Sequence, residues 1–500
     1  MSSRRRLMVV SGLAALAAAV PPRRPTGGGW WPGPGRHPGG TAALPTVPAD
    51  LPWRLLVDRI KAGGPNPRLG LVQAQHIFGR VTSSQQLIRG GLVRVRIPAS
   101  LIRLGDEGWR RDRFEDGWWM DIMRRLGVPF KAVVELWPRF TDEQHAAHAA
   151  RLVQRANPDV VIIGNELNLV HRRPGIDWAA EIERYLNRYE AIHGAVRSAS
   201  PATRIQLYGE AYDGDPSDQD AFLRHVLAAM RWRGLPPPDL AGIHIYDRAS
   251  VIPQRVAGYR RLLADFGLHI PVSVEELGAR RGVIDDLEAR RLAEHPAEHG
   301  PAHGTASHRA DQGRRGSPAG DARGPEAPGG YRNRLEELRA LGWLTEDEHA
   351  ELVAQQLATA AASADQAQIF CAIDFDAELA ERRGLVSNIY DRARPALKSF
   401  RFLQRLLNDP AEVRLTPAAE NGGVTSVEVV RRDGLGASIH WSTPVGDEAL
   451  APARSLAVPA YTFVCDAQGR LVEAPAPVAR TIQLPAASSA EAGGAVRILI

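Results

Sequence analysis

Short apolar runs alternate with amphipathic stretches along most of this chain. The runs are rich in β-branched residues and are bounded by turn-forming residues, as is typical of buried strands. Between the runs, apolar residues recur at helical spacing, as they do from Asp177 to Ser198. The eight runs are Leu69–His76, Leu92–Ile97, Phe130–Trp137, Val160–Gly164, Arg204–Tyr208, Leu240–Tyr246, Ile270–Glu275 and Gln368–Phe375. This alternation predicts the α/β fold class and a (β/α)8 TIM barrel over residues 48–408, with its active site at the C-terminal ends of the strands.

The connection between the seventh and eighth runs is unusually long. Residues 285–332 are mostly Gly, Pro, Ala, His and Arg without periodicity, which predicts a low-complexity insertion. Histidines recur within it and could bind a metal weakly. Without cysteines or a predicted fold to set ligand geometry, a solvated loop is the favoured interpretation, and no metal or other cofactor is expected. Those histidines are His295, His299, His303 and His308.

The pattern changes after the last run. Pro395 opens an amphipathic helix that would close the barrel, and residues 411–500 then form short alternating runs separated by turns. This region is predicted to be a small C-terminal β-sandwich. It could bind carbohydrate or pack against the barrel, and the second interpretation is favoured.

Composition adds few constraints. A chain of 500 residues can bury both cores, and its net charge of +5 is modest. No basic patch is interleaved with aromatic residues, so nucleic acid is not an expected partner. Cys371 and Cys465 lie in different predicted strands and are not expected to pair.

The N-terminus has the parts of an export signal in residues 1–20. Arg4-Arg5-Arg6 precede an apolar stretch from Leu7 to Val20, with small residues near its end. The arginines also match a twin-arginine signal loosely. Residues 21–47, rich in Pro and Gly, are predicted to be a disordered linker. A secreted, periplasmic or cell-envelope monomer is therefore expected, with an uncleaved N-terminal anchor as the alternative and no other membrane contact.

Two carboxylates lie at the ends of opposite strands. Glu166 follows the fourth run and Glu276 the seventh, so both side chains can face each other across the barrel mouth. Cleavage of a glycosidic bond requires two such carboxyl groups, one protonated and one ionised. Asn165 can hydrogen-bond a sugar hydroxyl beside the bond that breaks. The alternative is that these residues are solvated caps of the strand ends.

The segments around these residues resemble a known family. V-I-I-G-N-E in the fourth run and V-S-V-E-E-L-G in the seventh look like the acid/base and nucleophile signatures of glycoside hydrolase clan A, the retaining 4/7 superfamily. Three further segments match in the family's order, and the resemblance covers residues 69–407. These segments are Arg96-Ile97-Pro98, His244-Ile245-Tyr246 and the pair Gly384-Leu385 with Arg394-Pro395-Ala396.

The resemblance implies a role for each matching residue. Glu166 would be the acid/base and Glu276 the nucleophile, while Arg96 and Tyr246 would hydrogen-bond the nucleophile and keep it ionised. The alternative for Arg96 is an ion pair within the barrel. Two further residues would bind the sugar hydroxyl and line the cleft, namely Asn165 and His244, although His244 could instead be a core histidine.

The chain departs from the family pattern in three places. Leu167 replaces a common Pro, and Glu275 places a second acid before the nucleophile. Because side chains alternate along a strand, only one of these acids should face the mouth, and Gly278 favours Glu276. The usual tryptophan after the eighth strand is absent, so sugar stacking would fall to other aromatic residues. The candidates are Trp137 and Phe375.

The leading hypothesis is an exported retaining glycoside hydrolase that cleaves β-glycosidic bonds in a polysaccharide or oligosaccharide. The alternative from another class is a non-catalytic carbohydrate-binding barrel of the cell envelope. A structural envelope protein is a third, weaker option. The presence of both Glu166 and Glu276 favours the enzyme.

Overall fold

A computed structural model describes residues 53–74, 92–97, 129–136, 140–170, 175–212, 216–286, 332–371, 374, 383–387 and 392–500. Within residues 92–97 it describes the backbone only. The predicted export signal and linker lie outside the described residues, as does most of the predicted insertion.

Eight parallel strands close into a barrel, as the sequence predicts. Their order around the barrel is β1-β10-β7-β6-β5-β4-β3-β2, and β1 pairs with both β2 and β10 to complete the ring. These strands are β1 (Leu69–Ala74), β2 (Leu92–Ile97), β3 (Phe130–Val134), β4 (Val160–Asn165), β5 (Arg204–Tyr212), β6 (Leu240–Tyr246), β7 (Val272–Gly278) and β10 (Gln366–Ile369). The TIM-barrel prediction is confirmed.

Several strands differ from the predicted runs at their ends. β5 continues to Tyr212 and β7 to Gly278, beyond the expected ends at Tyr208 and Glu275. Glycine and glutamate in these extensions lower their strand propensity, but burial by neighbouring elements overrides it. β10 ends at Ile369, and the described residues of the predicted run beyond it, Phe370, Cys371 and Asp374, are not in a strand.

Helices cover the outside of the barrel. They are α1 (Trp53–Ala62), α2 (Asp142–Ala156), α3 (Leu167–Val170), α4 (Trp178–Ala199), α5 (Pro216–Arg233), α6 (Ile252–Asp265), α7 (Arg332–Ala340), α8 (Glu346–Ser363) and α9 (Pro395–Leu406), with a 3₁₀ turn at Ala249–Val251. Asp177 caps α4 by accepting from the backbone N–H groups of Ala179 and Ala180. Gly342, with φ of 84°, follows the end of α7 and so divides the helical pattern that resumes after the insertion. Two short parallel strands meet beside this turn, β8 (Val283–Ile284) and β9 (Leu344–Thr345).

Alternation along the strands separates two sets of side chains. Ala132 and Val134 of β3 belong to the large core shared with the helices, as do Val161 and Ile163 of β4. The residues between them point to the other face of the sheet, into the barrel. There they form a separate small apolar cluster, made of Val133, Val160, Ile162 and Leu240.

The C-terminal region is a β-sandwich, as predicted. One sheet has the order β13-β14-β15-β20-β17-β18, and β16 pairs with β19 in a second. The strands are β13 (Pro410–Thr416), β14 (Val424–Arg431), β15 (Gly436–Ser442), β16 (Arg454–Val458), β17 (Val464–Asp466), β18 (Leu471–Glu473), β19 (Arg480–Leu484) and β20 (Arg497–Leu499), and a hairpin of β11 (Val386–Ser387) and β12 (Arg392–Ala393) precedes α9. The sequence analysis missed β13, β16 and β18, whose alternation includes many exposed residues.

The sandwich is docked on α8. The backbone N–H of Val496 donates to the Glu351 carboxylate over 2.7 Å, and the Gln355 amide donates to the carbonyl of Gly494 over 2.8 Å. Cys371 and Cys465 are both buried and are not joined in a disulfide. Among the helices of the described ranges, none has both the length and the hydrophobicity to span a bilayer.

Candidate active site

Glu166 leaves the end of β4 in a left-handed turn. Gly164 has φ of 87° and Glu166 has φ of 48°, an uncommon conformation for a residue with a side chain. The turn is held by the backbone N–H of Glu166, which donates to the carbonyl of Gly209 on β5 over 3.0 Å. The Glu166 side chain is 23% exposed. The backbone therefore directs this carboxylate out of the strand and into the mouth of the barrel, and such conformations cluster at functional sites.

A β-bulge in β7 places its two acids. Val274 pairs with Ile243 of β6, but the next pair is Glu276 with His244, so β7 carries one extra residue. The pairing with β10 shows the same shift. Bulges redirect side chains and interrupt strict alternation. Glu275 and Glu276 consequently both lie inside the barrel wall at different depths, which the assumption of strict alternation did not foresee.

Glu276 faces the mouth, as the sequence analysis expected. Its side chain is 1% exposed, and Oε2 accepts a hydrogen bond from the Tyr246 hydroxyl. A hydroxyl donated to a buried carboxylate favours its ionised form. Tyr246 is itself held by an edge-on contact with Phe370, whose ring centroid is 5.6 Å away, and by the Arg383 guanidinium, 5.2 Å from the tyrosine ring centroid.

His244 lies between the two glutamates. Its Nδ1 is 2.7 Å from Oε1 of Glu166 and 3.5 Å from Oε2 of Glu276, and the imidazole is fully buried. Gly209 makes room for the ring, because a Cβ at that position would lie 2.0 Å from Nε2 of His244. The imidazole thus contacts the acid/base candidate directly rather than acting as an isolated core histidine.

The two carboxylates are close together. One ligand atom from each of Glu166, His244 and Glu276 lies within 4.8 Å of the other two. Carboxyl groups about 5–5.5 Å apart permit direct attack on an anomeric carbon, whereas inverting enzymes need roughly 6.5–9.5 Å to admit a water. The same residue types could in principle bind a cation. However, the Tyr246 hydroxyl bonds Glu276 and the His244 imidazole bonds Glu166. These hydrogen bonds suit a pair of catalytic acids better than a cation site.

The other predicted site residues are described to different extents. Asn165 is the last residue of β4, half-buried and paired with Gly209 of β5. Arg96 lies near the end of β2, opposite Val133 of β3, and only its backbone is described. Two predicted aromatic residues lie outside the described part of the chain, Trp137 and Phe375.

The sequence analysis missed contacts that brace the rim of the site. Arg280, just after β7, bonds Asp247, just after β6, with Nη2 3.1 Å from Oδ2. Glu491 from the C-terminal domain accepts the backbone N–H of Arg280. Burial raises the pKa of Glu491 to about 7. A contact between residues so distant in sequence leaves no local pattern that could have predicted it.

A second missed feature lies beneath Glu276. Nζ of Lys131 on β3 is 3.1 Å from Oε1 of Glu275, and both side chains are fully buried. A signal for this pair does exist in the sequence. Lys131 is one of three lysines in the chain and interrupts the apolar run F-K-A-V-V, while Glu275 interrupts another run. Opposite charges in two buried strands of one barrel predict a pair.

The barrel with its C-terminal sandwich has the fold of clan A (4/7) glycoside hydrolases, and the two glutamates lie at the ends of β4 and β7. Solved structures agree. A family 39 glycoside hydrolase from Bacteroides cellulosilyticus superposes with a TM-score of 0.52 at 11% identity, covering 88% of this chain and 81% of that one. A glucosidase from Croceicoccus marinus gives a TM-score of 0.53 at 11% identity, covering 87% of this chain and 97% of that one. No protein-family model and no curated protein matches the sequence. At this identity the similarity shows a shared fold.

Proposed function

We propose that this protein is a retaining glycoside hydrolase that cleaves β-glycosidic bonds of an oligosaccharide or polysaccharide. The observation that carries the proposal is the approach of the Glu166 and Glu276 carboxylates to within 4.8 Å at the barrel mouth. Two similar solved structures are a family 39 glycoside hydrolase and a glucosidase, which supports the proposal. The order of the sequence segments that match clan A supports it as well.

In the first step, Glu276 attacks the anomeric carbon as the bond to the leaving oxygen breaks, and Glu166 gives its proton to that oxygen. A glycosyl ester on Glu276 results. In the second step, Glu166 removes a proton from water as the water oxygen attacks the same carbon and releases Glu276. The net reaction adds one water across the glycosidic bond.

The surrounding residues suit these roles. Tyr246 donates to Glu276 and so holds the nucleophile ionised and oriented. His244, in contact with both acids, fixes the position of Glu166. Asn165 and Arg96 are proposed to bind the sugar hydroxyl next to the cleaved bond and the nucleophile, respectively.

The cellular setting is part of the same proposal. An exported monomer would meet cell-wall carbohydrate, and the features that support this are the N-terminal arginines with their apolar stretch. Its partner would be the carbohydrate substrate, and nucleic acid would not be a partner.

The experiment is a screen of the purified protein with aryl β-glycosides and polysaccharides. We expect release of aryl alcohol or reducing sugar by the wild type. Glu276→Gln, a near-isosteric change, serves as the matched control and should release none. A wild type inactive on the whole panel, or a Glu276→Gln variant as active as the wild type, would contradict the proposal.

A further inference from the structure

The barrel interior holds a buried ion pair directly below the proposed nucleophile. The Lys131 ammonium lies 3.1 Å from Oε1 of Glu275, 2.7 Å from Oγ of Ser273 and 3.4 Å from Oε1 of Gln206. An ammonium has three protons to donate, and these three acceptors match that number. The Lys131 ammonium is therefore held by several partners and its pairing with Glu275 is not an incidental contact.

Stability alone does not account for such a pair. Removing two charges from water costs free energy that their attraction only partly offsets, and apolar residues of similar volume are often as stabilising. Apolar packing is available in part of this interior, since Val133, Val160 and Ile162 form an apolar cluster there. A function for the charges is the better explanation.

The backbone is adapted to hold Glu275 inside the barrel. The bulge in β7 turns Glu275 inward together with Glu276, although they are consecutive. Gly242 of β6 provides the space, because a Cβ there would lie 2.5 Å from Oε2 of Glu275. Two separate local features thus accommodate this one acid.

Its position places a second negative charge beside Glu276. With Glu166 also close, an unneutralised Glu275 would add to the repulsion that favours protonated Glu276, because like charges a few ångström apart disfavour ionisation. Lys131 cancels that added charge. The groups that face Glu276 from the surrounding described elements are Glu166 of β4, His244 and Tyr246 of β6, Glu275 of β7 with its partner Lys131 of β3, and Arg383 on the far side of Tyr246.

We infer that Lys131 and Glu275 are positioning residues for the proposed double displacement, with Lys131 neutralising Glu275 so that Glu276 stays ionised and nucleophilic. The inference rests on the proposed function. Neither residue reacts with the sugar. They act through Glu276 by controlling the charge beneath it.

The test is the pH dependence of kcat/KM for Lys131→Met, Glu275→Gln and the double variant. The probe is the dinitrophenyl β-glycoside that the wild type hydrolyses fastest. Its leaving group departs without a proton, so the acid limb of the profile reports the ionisation of Glu276 rather than that of Glu166.

The two single variants should move the acid limb in opposite directions. Lys131→Met leaves Glu275 uncompensated and should move the limb to higher pH by about one pH unit. Glu275→Gln leaves Lys131 uncompensated and should move it to lower pH. The double variant has no net charge at the pair, as in the wild type, so its limb should return close to the wild-type position.

Arg260→Met is the matched control. This variant also removes a cation that pairs with an acid, since Nη2 of Arg260 lies 2.9 Å from Oδ2 of Asp365. That pair lies at the start of β7 and β10, at the opposite end of the barrel from the active site. Its acid limb should stay at the wild-type pH.

The outcomes separate the inference from the proposed function. If the wild type hydrolyses no glycoside, the proposed function fails. If it is active but the single variants leave the acid limb unmoved, or both move it in one direction, the pair is only structural and the inference is overturned. If Lys131→Met does not fold, Glu275→Gln and the double variant still test the inference. A shifted double variant, or an unshifted Glu275→Gln, would then overturn it.

Discussion

The ends of β4 and β7 present the same residue type in different ways. β4 ends in a left-handed turn that leaves the Glu166 side chain 23% exposed. β7 uses a bulge that keeps Glu276 at 1% exposure, beneath the Tyr246 hydroxyl. An acid/base residue gives a proton to the leaving oxygen and takes one from an incoming water in each cycle, so it must be reachable by water, whereas a nucleophile benefits from a fixed, water-excluded position. Local backbone geometry thus gives the two glutamates environments that suit the separate roles proposed for them.

The largest expected effect is at the end of β7. Glu276→Gln removes the nucleophile and should lower kcat by ~10⁴-fold or more, as loss of other covalent nucleophiles does. Glu275→Gln should cost far less, because Glu275 bonds Lys131 and not the sugar. Initial rates on an aryl glycoside measure both.

Azide provides the control for this pair. Added to Glu276→Ala, it should restore some turnover by replacing the missing carboxylate. If Glu275→Gln is the inactive variant and Glu276→Gln is active, the assignment of the two acids on β7 is reversed.

The next effect is at the end of β4. Glu166→Gln should lower kcat/KM for a glycoside with a poor leaving group by about 10²–10⁴-fold, the usual contribution of a general acid. A dinitrophenyl glycoside should be affected much less in the glycosylation step, because its leaving group needs no proton. Equal losses on both substrates would show that Glu166 is not the acid.

A smaller effect should distinguish the two glycines that make room for the site. Gly209→Ala would crowd the His244 imidazole and should lower activity more than stability. Gly242→Ala would crowd Glu275 and Gln206 in the interior, and should lower the free energy of unfolding by about 1–3 kcal/mol. Activity assays and thermal unfolding measure the two effects.

Gly194→Ala on α4 is the control for both glycine variants. A Cβ there meets nothing within 4 Å, so it should be neutral or slightly stabilising. Equal effects of Gly209→Ala and Gly242→Ala on activity would contradict the division between mouth and interior.

The smallest effect concerns Glu491, which accepts the backbone N–H of Arg280 just after β7. Burial raises the pKa of Glu491 to about 7 in the folded chain, above its ordinary value of 4.5. The folded state therefore binds more protons than the unfolded state between those values, and the stability contributed by Glu491 is lost as pH rises through about 7.

Glu491→Gln mimics the protonated acid and can still accept the backbone N–H of Arg280. Between pH 5 and pH 8 its thermal midpoint should fall less than that of the wild type, by on the order of 1 °C. Parallel curves for the two proteins would exclude Glu491 as the titrating group.

Local pattern was sufficient for the barrel, because each of its strands contains an apolar run, although the pattern did not fix every strand end. It was sufficient also to bring Glu166, His244, Tyr246 and Glu276 together as candidates. The local pattern could not predict the bulge in β7, because the bulge depends on how β7 pairs with both neighbouring strands.

Which distant segments touch was harder to predict, although Lys131 and Glu275 each stand out as a charge within an apolar run. The reach of Lys131 across the barrel to Glu275 joins residues 144 positions apart. Glu491 reaches Arg280 from 211 positions away. Gly342 separates α7 from α8, and helical periodicity does not reveal its left-handed φ.

The proposed double displacement depends most on Glu276 acting as the nucleophile opposite a nearby acid, Glu166. The most direct test is NMR of the anomeric proton in the first product formed from a β-glycoside, before the free sugar equilibrates. Carboxyl oxygens of Glu166 and Glu276 lie within 4.8 Å, closer than the separation that inverting enzymes need, which predicts that this product is the β-anomer, with net retention. A first product of α configuration would mean inversion, and would remove Glu276 as the nucleophile.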